Sequence, residues 1–273
     1  MLTHYAKLTN SENPTLILLH GFISDHTTFH LVEETLINQG INVITVDLPG
    51  HGNDNSNDDL TWDMAYIADQ IKSLIMHYNL KKVYIHGYSM GGRVALSFAN
   101  QFPTLIEGLI LESASPGISN DVDKQARIEV DKNRASYIQE VGLKQFVEEW
   151  SKLPLFDSQS VLTDTEKQRI ELMRLSQQPK GLCKALVDYG TGAQPSYWEV
   201  LHQFNVPTCI IVGEKDAKFI NIGQRMNQLM KKSTFHMVQG AGHTIHVEQP
   251  TKFDTIVIEF ILGGKLCQDN GKR

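Results

Sequence analysis

Ser89 is the residue whose type and setting most directly indicate chemistry in this sequence. It is the centre of a Gly-x-Ser-x-Gly pattern at 87–91, between an apolar run and a helix-forming run. A serine at a sharp strand-to-helix turn needs small neighbours, and Gly87 and Gly91 supply them. The following helix directs its N-terminal N–H groups toward developing negative charge. A glycine-rich turn with an incidental serine is the other interpretation, but the strand–turn–helix setting favours a reactive residue.

A reactive serine of this kind needs an imidazole and a carboxylate, in the chain order serine, acid, histidine. Asp216 fits the acid because it comes directly after the apolar run 208–212, and His243 fits the base because it follows the run 234–238. Both loops leave the carboxyl ends of predicted strands, where open α/β sheets place their sites. One other base and two other acids remain open for these roles: His246, Glu214 and Glu112.

Two backbone N–H groups are candidates for an oxyanion hole. Phe22 follows a His-Gly pair after the first apolar run, and Met90 directly follows the predicted nucleophile. Donors from these two positions would stabilise negative charge on a substrate oxygen. The His-Gly pair could also be an ordinary strand-to-loop turn. The turn-rich segment 47–52, after the second predicted strand, is interpreted as scaffold.

The elements that must position these residues follow an α/β pattern, in which short apolar runs alternate with longer amphipathic stretches. Six runs are predicted as parallel strands covered on both faces, because they are rich in Ile, Leu and Val without clean alternation: 15–19, 42–47, 82–86, 108–112, 208–212 and 234–238. Helices are predicted between them, at 27–39, 61–78, 90–101, 220–231 and 250–261.

The alternation lapses between residue 112 and Pro207, where only helical patterns occur, at 121–140, 143–151, 164–176 and 182–189. A run of helices inserted into an α/β frame is typical of a lid grown from one loop. The sequence therefore predicts a core formed by 1–115 and 205–273, with a helical cap at 116–204.

Composition excludes several classes of protein. The chain has 273 residues, a net charge of −6, 41% hydrophobic and 21% charged residues, which are globular values and exclude a disordered or fibrous chain. Its acidic balance disfavours nucleic-acid binding. Cys183, Cys209 and Cys267 form no CxxC pair and are expected to be reduced thiols. Without a signal-like start or a run of about 18 apolar residues, we expect a cytoplasmic protein with no membrane span.

Five short motifs follow one another along the chain in this order: HGF, DLPGHG, GYSMGGR, GEKDAKF and GAGH. This order resembles the α/β-hydrolase superfamily over nearly the whole chain. The resemblance implies the α/β-hydrolase fold, a mostly parallel doubly wound sheet with an inserted helical lid. GYSMGGR with GEKDAKF, together with lid segments at 112–117, Trp150 and 153–156, resembles one branch, the 2-succinyl-6-hydroxy-2,4-cyclohexadiene-1-carboxylate synthases of menaquinone biosynthesis.

The branch resemblance implies a small polycarboxylate substrate, and arginine binds carboxylates through a rigid bidentate fork. By this resemblance, five residues contact the substrate: Tyr88, Arg93, Arg127, Trp150 and Arg174. Arg169 remains an alternative to Arg174, because that match crosses a change in length. A lid arginine can also be a solvated surface residue.

The implied reaction is the elimination of pyruvate from 2-succinyl-5-enolpyruvyl-6-hydroxy-3-cyclohexene-1-carboxylate, by a Ser-His-Asp triad that abstracts a proton. The alternatives are a serine hydrolase (esterase, thioesterase or carbon–carbon bond hydrolase) with a small acidic substrate, and a non-catalytic binding protein. No metal or organic cofactor is expected, because the sequence has no ligand cluster and no GxGxxG. No nucleic-acid or membrane partner is expected, and either a monomer or a homodimer fits.

Overall fold

The central sheet positions the loops that hold Ser89, Asp216 and His243. A computed structural model describes residues 1–269, with side chains through residue 263, so Cys267 lies outside the described side chains. Within this range the sheet has seven strands: β1 (His4–Lys7), β2 (Thr15–Leu19), β3 (Asn42–Val46), β4 (Val83–Tyr88), β5 (Ile106–Glu112), β6 (Thr208–Gly213) and β7 (Ser233–Val238). They lie in the order β1-β3-β2-β4-β5-β6-β7. β1 pairs antiparallel with β3, and the other neighbouring pairs are parallel.

The six predicted strands all form, each within two residues of its predicted limits. The sequence pattern does not predict β1, because its four residues are half-buried or exposed at the sheet edge and include no apolar run. By contrast, every residue of β2 and β3 is buried. Strands that are covered by helices on both faces are apolar throughout, which makes them recognisable from sequence.

Helices cover both faces of this sheet. Those of the described range are α1 (His30–Asn38), α2 (Met64–His77), α3 (Met90–Gln101), α4 (Asp121–Trp150), α5 (Asp164–Leu175), α6 (Pro179–Tyr189), α7 (Ala217–Leu229), α8 (Ile245–Glu248) and α9 (Pro250–Asp269). α1 and α9 pack against Leu16 and Leu18 of β2, whereas α2, α3 and α7 belong to the core that contains Ile17 and Leu19. The predicted doubly wound α/β fold is therefore confirmed. No helix in the described range is both long and apolar enough to cross a membrane.

The segment between β5 and β6 contains helices and no strand in this fully described stretch: α4, α5, α6 and two short 3₁₀ helices, Pro154–Val161 and Leu201–Gln203. The predicted break between the helices at 121–140 and 143–151 is found inside α4. Gly142 has φ 78° and ψ 165°, a backbone conformation that glycine adopts without a steric penalty. The division into a core and a separate cap at 116–204 stays a prediction.

Candidate active site

Ser89 lies in a strained turn between β4 and α3. Its φ of 52° and ψ of −103° are sparsely populated for a residue with a side chain. A β carbon on Gly87 would overlap the backbone of Gly91, and one on Gly91 would overlap the backbone of Leu19. The backbone N–H of Ser89 donates to the carbonyl oxygen of Glu112 at 2.8 Å. The two glycines therefore permit a turn that no larger residue would allow.

Ser89, His243 and Asp216 form one hydrogen-bonded chain. Ser89 Oγ lies 3.0 Å from His243 Nε2, and His243 Nδ1 lies 2.6 Å from Asp216 Oδ2. The carboxylate selects the tautomer in which Nδ1 carries the proton, so Nε2 is free to accept the serine proton. His243 is 2% exposed and Asp216 is 8% exposed. The fold thus brings together the three residues that the sequence order selected.

Asp216 is oriented by the helix that follows it. Its Oδ1 accepts a hydrogen bond from the backbone N–H of Phe219 at 3.3 Å, as the N-cap of α7. Oδ2 remains available for His243. The ring of Phe219 packs against the His243 imidazole, with 4.7 Å between the ring centroids. One helix start therefore fixes both the acid and one wall beside the base.

The three alternative residues bind other partners. His246 Nδ1 lies 2.9 Å from each carboxylate oxygen of Glu112, and His86 Nε2 lies 2.8 Å from Oε2 of the same carboxylate. The side chains of His246, His86 and Glu112 are fully buried. Burial raises the pKa of Glu112, but the contacts with His246 and His86 outweigh it and hold that pKa well below its usual range. Glu214 accepts the backbone N–H of Gly240 at 2.9 Å.

Glu248 holds the loop that contains His243. Its Oε2 accepts the backbone N–H of Gly242 at 2.6 Å, and its Oε1 accepts that of Thr244 at 3.0 Å. One carboxylate therefore fixes the chain on both sides of the imidazole. Sequence reasoning missed Glu248, because a single glutamate after a loop has no diagnostic spacing.

A cavity of about 420 Å³ opens beside Ser89 and His243 and is also lined by Phe22 and Met90. As the first residue of α3, Met90 has a backbone N–H without an intrahelical acceptor. Among the backbone hydrogen bonds of the described residues, none uses the N–H of Phe22 as donor. Both predicted oxyanion donors are therefore available to a ligand.

His20 fixes the loop that leads to Phe22. Its Nδ1 donates to the carbonyl oxygen of Gly21 at 2.7 Å, and its Nε2 accepts the backbone N–H of Leu48 at 3.0 Å. Burial lowers the pKa of His20, which favours the neutral ring that both bonds require. The segment 47–52 thus supports the loop of Phe22, in keeping with its interpretation as scaffold.

Four of the five predicted substrate contacts line the main cavity: Tyr88, Arg93, Arg127 and Trp150. Arg93 Nη1 donates to the carbonyl oxygen of Tyr189 at 2.9 Å. Burial and the nearby Arg127 lower the pKa of Arg93 to about 10, so its guanidinium stays charged at neutral pH. Arg127 donates to Asp131 Oδ1 and to Thr191 Oγ1, each at 2.8 Å.

Arg174 does not line this cavity. It lines a smaller one of about 30 Å³, which shares Phe22, Tyr88 and Phe156 with the main cavity. Its Nη1 donates to Ser151 Oγ at 2.7 Å, and its guanidinium carbon lies 4.6 Å from the ring centroid of Phe156. The alternative, Arg169, lines neither space but a separate depression beside Glu166. A substrate contact by Arg174 stays a prediction.

Sequence reasoning also missed four charged residues on the cavity wall: Asp123, Asp131, Arg134 and Lys218. Asp131 and Arg134 follow Arg127 by four and seven residues, which places all three on one face of α4. Helical spacing from Arg127 was therefore a signal that could have found two of them. Lys218 offers no such signal, since it lies on a different helix, as the second residue of α7.

Comparison with known proteins shows the family to which this chain belongs. The sequence model of the alpha/beta hydrolase fold family matches residues 14–250. A protein of Bacillus subtilis (strain 168), provisionally named a 2-succinyl-6-hydroxy-2,4-cyclohexadiene-1-carboxylate synthase, is 37% identical over 259 residues, which cover 92% of this chain and 91% of that protein. The synthase of the same name from Salmonella agona (strain SL483) is 30% identical over 237 residues, which cover 87% and 89%.

A solved structure is similar to this chain over nearly its full length. The structure of MenH from S. aureus matches with a TM-score of 0.91 and 41% identity, covering 97% of this chain and 100% of that one. The similarity extends over nearly the full length of this chain in both sequence and structure. This chain therefore belongs to the alpha/beta hydrolase fold family and, within it, to the family of 2-succinyl-6-hydroxy-2,4-cyclohexadiene-1-carboxylate synthases.

Proposed function

We propose that this chain is a cofactor-independent lyase of menaquinone biosynthesis. It eliminates pyruvate from 2-succinyl-5-enolpyruvyl-6-hydroxy-3-cyclohexene-1-carboxylate and produces 2-succinyl-6-hydroxy-2,4-cyclohexadiene-1-carboxylate. The observation that carries the proposal is the hydrogen-bonded chain of Ser89, His243 and Asp216 at the floor of a cavity that also contains arginines. The serine and histidine suit proton abstraction, and the arginines suit a polycarboxylate.

The base is Ser89, activated by His243. Asp216 orients the imidazole and stabilises its protonated form. The serine oxygen takes the proton from the ring carbon next to the succinyl ketone, and its own proton passes to His243 Nε2. The electrons of the broken C–H bond form a dienolate through the ring double bond. The dienolate then collapses and breaks the ring carbon–oxygen bond, so that the enolpyruvyl group leaves as the enolate of pyruvate. The proton held by His243 restores the balance when this enolate is protonated at its methylene carbon to give pyruvate.

Negative charge gathers on the succinyl ketone oxygen during this step. The N–H groups of Phe22 and Met90 are the donors that stabilise it, and loss of one such donor generally costs ~10²–10³ in rate. Tyr88 does not act as an acid or base here. Burial raises its pKa well above the ordinary value, and its hydroxyl is paired with Thr244 Oγ1 at 2.8 Å.

The substrate carboxylates bind to Arg93 and Arg127 in the main cavity and to Arg174 beyond Tyr88, with Trp150 on the lid side. The segment 116–204 is proposed as a cap that covers the substrate and excludes water. A cytoplasmic monomer or homodimer is part of the same proposal. The cytoplasmic location is supported by the free, buried thiols of Cys183 and Cys209.

The test is incubation of the purified protein with the enolpyruvyl cyclohexene substrate. Pyruvate should appear together with the ultraviolet absorbance of the cyclohexadiene product, in equal amounts and without added metal. Absence of both products from a folded protein would reject the lyase proposal.

A serine hydrolase is the second candidate, because Ser89 with two available N–H donors also suits acyl transfer. A burst of p-nitrophenol from p-nitrophenyl acetate, without diene formation from the cyclohexene substrate, would favour it. Ligand binding that is unchanged in a Ser89→Ala variant, with no turnover of either substrate, would instead indicate a binding protein.

A further inference from the structure

Arg134 lines the main cavity, and none of the roles above uses it. It lies one turn beyond Asp131 on α4. Its Nη1 is 3.5 Å from Asp131 Oδ1, and its guanidinium carbon lies 5.2 Å from the ring centroid of Trp150. Stacking on an indole restricts the guanidinium, so less conformational freedom is lost when a ligand binds to it.

Asp131 is already occupied by other donors. Its Oδ1 accepts Arg127 Nε at 2.8 Å, and its Oδ2 accepts the backbone N–H of Gly192 at 2.9 Å. The carboxylate is 2% exposed. Arg127 and Arg134 therefore share a single negative charge, and Arg127 has the shorter contact.

The cavity as a whole has an excess of positive charge. The charged side chains that line it, among those the structure describes, are four cations and two carboxylates: Arg93, Arg127, Arg134, Lys218, Asp123 and Asp131. The protein as a whole has a net charge of −6, so this excess is a local property of the cavity. Burial and the nearby Arg127 lower the pKa of Arg134, as expected for a guanidinium beside a like charge.

Trp150 adds an unused donor beside Arg134. Its indole Nε1 is buried and has no hydrogen-bond partner within the described part of the chain. A buried N–H group without an acceptor is unfavourable, and a carboxylate oxygen can accept from it.

We propose that Arg134 and the indole N–H of Trp150 form an additional carboxylate-binding subsite on the lid side of the cavity. Its ligand is one carboxylate of a substrate that has several, and the other carboxylates are bound by Arg93, Arg127 and Arg174. For the identity of the natural substrate, this inference rests on the proposed function. Arg134 is then a specificity residue that selects substrates with several carboxylates.

The test compares Arg134→Gln and Arg134→Lys with a control, Lys132→Gln. Lys132 lies on the same helix, two residues away, with its side chain 54% exposed and paired with Glu129. In pyruvate formation, we expect Arg134→Gln to raise KM by about 10- to 100-fold, since hydrogen bonds to charged groups are worth this much. The kcat should stay within about threefold. The KM of Arg134→Lys should lie between those of the wild type and Arg134→Gln. The KM and kcat of Lys132→Gln should match those of the wild type.

Binding of benzene-1,3,5-tricarboxylate and of benzoate, measured by calorimetry, separates this inference from the proposed function. Arg134→Gln should weaken binding of the tricarboxylate about tenfold or more and that of benzoate less than twofold. If the wild type forms no pyruvate but this difference holds, the proposed function fails and the subsite stands. Equal tricarboxylate binding by Arg134→Gln and Lys132→Gln, or no binding by the wild type, would overturn the subsite.

Discussion

Glu112 holds Ser89 with its main chain and His246 with its side chain. Its carbonyl oxygen accepts the Ser89 N–H at 2.8 Å, and its Oε1 accepts the backbone N–H of His246 at 3.0 Å. Glu112, the last residue of β5, therefore links two elements of the site. Its backbone carbonyl binds the turn that presents the serine, and its side chain binds α8, which begins two residues after His243.

We expect Glu112→Gln to lower both stability and activity. The substitution leaves His86 and His246 without their buried anion, and breaking such a network costs about 3–5 kcal/mol. The free energy of unfolding, measured in urea at pH 7, should fall by about this amount, and kcat should fall more than KM rises. Glu107→Gln, on the exposed part of the same strand, is the control. Equal stability of the two variants would contradict this role.

The pH dependence of stability should also change in Glu112→Gln. Because the folded-state pKa of Glu112 lies below its ordinary value of 4.5, its contribution is present above pH 4.5 and is lost as the pH falls further. Wild-type stability should therefore decrease steeply below pH 4.5, and the variant should show a shallower decrease. Urea unfolding between pH 3 and pH 7 measures this, and parallel curves would refute it.

Asp254 is expected to make a contribution to stability that changes with pH in the opposite direction. Burial in α9 raises its pKa to about 6 from an ordinary 3.8, so its favourable contribution is present below pH 3.8 and is lost as the pH rises through 6. Above pH 6, this pKa shift lowers the free energy of unfolding by about 3 kcal/mol. Asp254→Asn should therefore stabilise the protein at pH 7.5, by up to about that amount. The exposed Asp69→Asn is the control, and unfolding curves that coincide for the wild type and Asp254→Asn would exclude the effect.

Ser89→Ala and His243→Ala should each lower the rate of pyruvate formation by at least about 10³-fold, because the two residues act as one base. Neither change should alter the melting temperature by more than a few degrees. His202→Ala, at an exposed position, should keep the wild-type rate. Near-normal turnover by either variant would end the assignment of these residues.

Arg93→Ala should raise KM for the cyclohexene substrate by about tenfold or more, since a charged hydrogen bond is lost. It should also reduce the dependence of KM on salt, because fewer charges attract the anion. Steady-state rates at low and high sodium chloride measure both effects. An effect no larger than that of Lys132→Ala would argue against a carboxylate contact.

The inner strands and the turn at Ser89 were predictable because their signals are local. Short runs rich in Ile, Leu and Val, or glycines flanking a serine, can be recognised without knowledge of distant contacts. The break in α4 at Gly142 was predictable for the same reason, because its signal is also local. β1 was not predictable, because edge position and pairing with β3 stabilise it rather than its own composition.

The choice between Asp216 and its alternatives depends on tertiary structure. From the sequence, Glu112 and His246 are each eligible for the triad; in the fold they bind each other, 134 positions apart in the chain. Glu248 was missed for a different reason. Its partners, the peptide groups of Gly242 and Thr244, are close to it in the sequence, but a single glutamate after a loop has no diagnostic spacing.

The order of the triad along the chain has a consequence for biosynthesis. Ser89 and His243 are separated by 154 positions. At translation speeds of about 5–20 residues per second, the serine is incorporated roughly 8–30 s before the histidine. Every nascent or prematurely terminated chain that stops between positions 89 and 243 has the serine but no His243 to activate it. Unfinished copies of the chain therefore lack a complete triad.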